Sequence, residues 1–176
     1  HIRLGLRYSN NIICEKPIVL KHEHLQSLKA LEVGDKKINT ILQLRLHPAI
    51  IALKEKYDYG YHDVDLEYIT PRGLWYNYSW KGDIEKSGGV ASNIGVHFFD
   101  MLINTFGHCY EMEVINTPTS SQGILMLGRA KVNFKLSIDK DDLPWDEWKP
   151  YRKISIDNQE IEFSEGFTDL HNVSYK

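Results

Sequence analysis

The chain has 176 residues, of which 42% are hydrophobic and 26% charged. That composition argues against disorder and is enough for one domain but marginal for two. A net charge of −3 gives no electrostatic reason to bind nucleic acid or a membrane surface, and no apolar run approaches the roughly 20 residues of a membrane span.

Residues 1–9 read as the end of a helix. Asn11–Cys14 is a short β-rich run, and Pro17 leaves Glu15 and Lys16 at that strand's C-terminal end. His22 to Val33 carries Leu25, Leu28 and Leu31 at helical spacing, with Gly34 as C-cap. From Lys37 to His47 the pattern alternates, which puts Leu42, Leu44 and Leu46 on one strand face and Gln43, Arg45 and His47 on the other. Pro48 ends that strand and opens a helix, Ala49–Tyr57. The β-α-β-α order is that of a parallel α/β layer.

The character then changes. Val64–Tyr68 alternates, Pro71-Arg72-Gly73 is a turn, and Trp75, Tyr76, Tyr78 and Trp80 form an aromatic stretch. A helix is predicted over Asn93–Phe106, with Gly107 at its end. Val132, Phe134, Leu136 and Ile138 alternate with Lys131, Asn133, Lys135 and Ser137, as in a half-buried antiparallel strand. Ile154–Ile156 and Ile161–Phe163 flank Asp157–Glu160 as a hairpin, and Thr168-Asp169 reads as the N-cap of a further helix. The expected fold is α+β: the end of a Rossmann-like α/β layer, then a mostly antiparallel open sheet with helices on one face. The chain begins at His1 rather than Met and is read as an internal piece of a longer protein. Its two cysteines, Cys14 and Cys109, make no disulfide framework, so a reducing cytoplasm is expected.

The candidate chemistry centres on Ser87–Asp100. At about 100° per residue, Asn93, His97, Asp100 and Asn104 fall within about 60° of one another on a helix that is otherwise apolar. A buried amide, imidazole and carboxylate need partners or a cleft. His97 could take a proton from an alcohol, or it could be a core histidine satisfied by its neighbours. Lys16 lies where parallel sheets bind ligands and could stabilise a forming alkoxide, or it could be a solvated surface lysine. Arg45 suits a carboxylate or phosphate, or belongs to an exposed strand face. The segment Arg72–Lys81, with Ser79 and Lys81 among its aromatics, could stack on a sugar or base, or form a core patch. His22 and His24 diverge on a helix with no accompanying ligand cluster, so no metal is expected. Neither G-x-G-x-x-G nor a P-loop occurs.

Cys14-Glu15-Lys16-Pro17, Leu44-Arg45-Leu46-His47-Pro48 and the run Gly88–Asp100 together resemble the glucose–fructose oxidoreductase/inositol dehydrogenase family. The branch they most resemble is the UDP-N-acetylglucosaminuronate 3-dehydrogenases of O-antigen and lipopolysaccharide synthesis. Arg72–Asp83 and Leu170–Tyr175 are similar to the same branch. The resemblance implies an NAD-dependent enzyme that oxidises the C3 hydroxyl of a UDP-linked N-acetylamino-sugar uronate. Residues 1–48 would be the remnant of a dinucleotide-binding domain, and 49–176 a substrate-binding and oligomerisation domain. It implies Lys16 beside the nicotinamide and the reacting hydroxyl, with Glu15 and Pro17 shaping the cofactor side. It implies His97 as acid/base and Asp100 as support. Asn93 stands where many relatives carry aspartate, which puts more weight on His97. Arg45, Ser79 and Lys81 are the expected readers of the uronate or diphosphate. The glycine turn of the cofactor site would lie upstream of His1, so the piece alone is expected to turn over little or not at all. Its expected partners are a UDP-sugar and further copies of itself through the open sheet, with neither nucleic acid nor membrane. The alternatives are a non-catalytic oligomerisation or sugar-binding module, and a dehydrogenase of the same family acting on another sugar or inositol.

Overall fold

The structure, a computed structural model, describes residues 1–162 together with Leu170 and Ser174. Thr168-Asp169, Phe163 and most of Leu170–Tyr175 lie outside the described residues. The chain divides into two compact units, 1–42 and 43–176.

In the first unit, α1 (Ile2–Gly5) leads to β1 (Asn11–Cys14). α2 (Glu23–Lys29) then returns the chain to β2 (Lys37–Thr40), which pairs with β1 in parallel. Asn11 is opposite Lys37 and Cys14 is opposite Thr40. This is the parallel layer expected from the sequence, with two corrections. α2 stops at Lys29 and is capped by Ala30, not by Gly34; it buries no residue, so no packing holds a further turn together. Gly34 instead takes a left-handed turn at φ +64 further on. β2 ends at Thr40 rather than His47, because its partner β1 ends at Cys14 and the ladder runs out.

The second unit opens with a 3₁₀ turn, Gln43–Leu46, in place of the expected strand continuation. Leu44 is buried there, and the alternation of Leu42 to His47 therefore does not divide two strand faces. α3 (Pro48–Lys56) follows, with proline at its first position and His47 as N-cap, its Nδ1 accepting from the Ala49 N–H at 3.1 Å. β3 (His62–Ile69) buries Val64, Leu66 and Ile69. The short helices α4 (Trp75–Tyr78) and α5 (Ile84–Ser87) lead to a π-helical turn, Ala91–Gly95, and to α6 (Val96–Phe106). β4 (Cys109–Asn116), β5 (Ser120–Leu127), β6 (Ala130–Ser137), β7 (Tyr151–Ile156) and β8 (Gln159–Glu160) complete the sheet.

The sheet order is β4-β5-β6-β3-β7-β8. All neighbours are antiparallel except β3 and β6, which run parallel, so β6 is antiparallel on one side only. One face, carrying Val64, Leu66, Val132, Phe134, Leu136, Ile154 and Ile156, packs with Phe98, Met101, Leu102 and Phe106 of α6 into one core. The ring pairs Tyr68–Phe98 at 4.9 Å and Phe99–Phe134 at 5.0 Å fasten α6 to the sheet. The hairpin between β7 and β8 turns on only two residues, Asp157 and Asn158, at φ 51 and 64. Those values define a type I′ turn, so Gln159 and Glu160 belong to the second strand rather than to the loop.

Candidate functional site

Gly88 caps α5 in the left-handed region at φ +73, and Gly89 follows at the same angle. The two glycines redirect the chain into the helical run that carries the polar stripe. The run is not uniformly α. Ala91–Gly95 is π-helical, its hydrogen bonds spanning one residue more than those of an α-helix, so the 100° spacing fails between Asn93 and His97. His97, Asp100 and Asn104 retain α spacing on α6. Isolated π-turns are uncommon and concentrate at functional sites. Gly95 closes this one where the chain meets β6. A Cβ there would stand 2.6 Å from the Phe99 ring and 2.7 Å from a Leu136 methyl.

The stripe residues have distinct surroundings. Asn93 is 8% exposed and donates its side-chain N–H to the Tyr76 hydroxyl at 3.1 Å. Tyr76 is itself buried at 3%, on the inner side of α4. In the sequence Tyr76 is one of several aromatics from Trp75 to Trp80, and nothing local singles it out as the partner of Asn93. His97 is half-buried, with its Nδ1 edge turned into the protein. Asp100 accepts two hydrogen bonds from Arg45, one from Nε at 2.8 Å and one from Nη2. The fork matches the carboxylate and ties the 3₁₀ turn to α6. Asp100 holds the Arg45 guanidinium above its ordinary pKa, partial burial opposing. Asn104 accepts from Lys54 of α3 at 3.4 Å.

Of the residues expected at a substrate site, Arg45 sits on the 3₁₀ turn and uses two of its nitrogens on Asp100. Ser79 closes a local turn: its hydroxyl donates to the Tyr76 carbonyl at 2.8 Å and accepts from the Lys81 N–H at 3.2 Å. The Lys81 ammonium stands 5.9 Å from the ring centroids of both Trp75 and Trp80. Asn93, His97, Asp100 and Arg45 thus gather along one helical run, and Ser79 and Lys81 follow the α4 helix whose Tyr76 meets Asn93.

Glu15, Lys16 and Pro17 belong to the first unit. They leave the sheet at the carboxyl end of β1, where the Ile41 N–H closes the ladder on the Cys14 carbonyl at 3.2 Å. The Lys16–Pro17 bond is cis. Among the described residues, no group of three or more His, Cys, Asp or Glu gathers to hold a metal. None of the described helices is long and apolar enough to cross a membrane.

Residues 60–124, from just before β3 into β5, match the model of an oxidoreductase family, C-terminal α/β domain. Two crystal structures of the WlbA (WbpB) dehydrogenase from Thermus thermophilus are similar over 99% of this chain. One is in complex with NAD and α-ketoglutarate, the other with NAD and UDP-GlcNAcA. Both are 47% identical, with a TM-score of 0.91. The chain spans 59% of the length of those structures. Levoglucosan dehydrogenase, in complex with NADH and levoglucosan, shares the fold at 16% identity and a TM-score of 0.68, over 83% of this chain and 45% of that one. Residues 60–124 thus carry the C-terminal α/β domain of an oxidoreductase family, and the chain as a whole is similar to dehydrogenases.

Proposed function

We propose that this chain is part of an NAD-dependent dehydrogenase that oxidises the C3 hydroxyl of a UDP-linked N-acetylamino-sugar uronate. The observation that carries the reading is the 47% identity, along 99% of this chain, to a dehydrogenase held with NAD and UDP-GlcNAcA. The polar run from Asn93 to Asp100 supports it from within. A half-buried imidazole, held on a helix between a buried amide and an ion-paired carboxylate, is suited to accept an alcohol proton near neutral pH. His97 is accordingly the proposed base. Asn93 is fixed by Tyr76 on the same polar run as the proposed base. Asp100 is a positioning residue that keeps Arg45 in place, and Arg45 is the proposed cation for the carboxylate of the sugar. Lys81 is the proposed second cation and Ser79 its backbone support.

The residues present fit one end of the cofactor. Parallel strands bind ligands beyond their carboxyl ends, and Glu15, Lys16 and Pro17 leave β1 at that point. Lys16 would stand by the nicotinamide, with Glu15 and Pro17 on the cofactor side. A bound dinucleotide supplies the hydride acceptor. The chain holds no G-x-G-x-x-G turn, so its own residues answer only for the nicotinamide end.

The test is kinetic. His97→Gln in the intact enzyme is expected to lower kcat for UDP-GlcNAcA by about 10²–10⁴-fold, the usual share of a general base. Dinucleotide affinity should stay unchanged. Turnover equal to the parent's would remove His97 as the base. Rapid reduction of NAD with inositol or an unlinked sugar, and none with UDP-GlcNAcA, would move the reading to another member of the family. We also propose that the protein assembles from copies of itself through the open face of the sheet and works in the cytoplasm.

A further inference from the structure

A cavity of about 330 Å³ lies away from the polar stripe, lined by Arg72, Asn77, Asp139, Lys140 and Trp148 among others. Its position follows from the one parallel pair in the large sheet. β3 and β6 run side by side and both end near this cavity. The Thr70 N–H bonds the Ser137 carbonyl at 2.8 Å and the Arg72 N–H bonds the Ile138 carbonyl at 3.0 Å, carrying the pairing past the last strand residues. Arg72 therefore leaves β3, and Asp139 and Lys140 leave β6, just beyond the carboxyl ends of parallel strands. That is where open α/β sheets receive ligands.

The lining combines three kinds of group. Arg72 and Lys140 are cations suited to phosphate oxygens, one by its planar fork and the other as a compact charge. Asp139 has one carboxylate oxygen on the Asp141 N–H at 3.1 Å, and its other oxygen can accept from hydroxyls. Trp148 is 60% exposed and offers an indole face. α4 links this cavity to the stripe: Tyr76 points inward to Asn93, and the next residue, Asn77, lines the cavity.

We propose that this cavity receives the nucleoside diphosphate portion of the nucleotide-sugar substrate. Arg72 and Lys140 take the diphosphate, Asp139 the ribose hydroxyls and Trp148 the base. The proposal rests on the reading of the chain as a nucleotide-sugar dehydrogenase and gives that reading a second anchoring point. The adenosine diphosphate half of the cofactor carries similar chemistry, so the test separates the two sources.

Intact protein is titrated calorimetrically with UDP and, in parallel, with ADP. Arg72→Met and Lys140→Met replace exposed side chains, and far-UV circular dichroism checks their folding. Each is expected to weaken UDP binding about tenfold or more and to leave ADP binding unchanged. In turnover, each is expected to raise KM for the UDP-sugar with little change in kcat, the mark of lost uniform binding. Trp148→Leu is expected to weaken UDP and to spare inorganic pyrophosphate. UDP binding unchanged in both cation variants would overturn the proposal, as would loss of ADP binding alone. If UDP binds and depends on Arg72 and Lys140 while the UDP-sugar is not oxidised, the cavity assignment stands and the catalytic reading fails.

Discussion

At the scale of single residues, the useful distinction is between charges that hold the fold and charges left over for a ligand. Asp142 belongs to the first kind. Its carboxylate accepts from the Lys135 ammonium at 2.8 Å and from the buried Ser137 hydroxyl at 2.6 Å, fastening the turn after β6 to the strand it has just left. Lys135 first and Ser137 second hold its pKa below the ordinary 3.8, partial burial opposing. A carboxyl depressed on folding stabilises the fold above its unfolded pKa, and that contribution disappears as the pH falls through the lower folded value. Asp142→Asn should therefore flatten the acid limb of stability below about pH 4, at a cost near neutrality of less than about 1 kcal/mol for a partly exposed pair. Urea midpoints across pH 3–7 read this. An acid limb as steep as the parent's would assign the pH dependence to other carboxyls. Asp100 shows why such roles were only half legible. Helical spacing placed it beside His97, but its partner Arg45 is 55 positions upstream. No local pattern joins residues so far apart; only the packing of the 3₁₀ turn on α6 does.

At the scale of elements, local chemistry announced most pieces and tertiary pairing set their ends. Pro48 marked α3, Asp157–Glu160 marked a hairpin, and the alternation around Val132 marked β6. The extent of β2 was not legible, because a strand lasts only as long as its partner and β1 is four residues long. The π-turn at Ala91–Gly95 is not legible for a related reason: apolar periodicity at the α spacing runs on through it without a break. The nearest sequence signal is Gly95, whose missing side chain lets the turn lie against Phe99 and Leu136. Gly95→Ala would add a methyl group into two contacts under 3 Å, one of them a tightly packed methyl of the sheet. The expected cost is about 1–3 kcal/mol, the range for overpacking. A lower Tm should accompany a displaced Asn93 and a loss of turnover larger than the stability loss explains at assay temperature. A variant of unchanged Tm would show that Phe99 swings aside freely and that the π-turn does not depend on this contact.

At the scale of the molecule, the large sheet has two unlike faces, and the difference bears on assembly. The face under α6 is closed by the core. The other presents Asp65 and Glu67 on β3, Lys131 and Asn133 on β6, and Ile124 and Met126 on β5 beside Glu111 and Glu113 on β4. Acidic residues flanking Lys131 and a pair of apolar side chains would suit the two-fold contact proposed above, in which the acids of one copy could meet Lys131 of the other. Ile124 tests this cleanly. It stands opposite Glu113 on one side and Asn133 on the other, so Ile124→Lys places a cation beside an acid and leaves the single chain folded. In a two-fold contact through this face the same change puts a charge into its apolar part, which costs desolvation. Light scattering should then give a smaller mass than the parent's at equal concentration, with unchanged circular dichroism. A mass equal to the parent's in an oligomeric protein would take the open face out of the interface. It would leave the exposed edge of β4, with Tyr110, Met112 and Ile115 uncovered, as the surface through which copies meet.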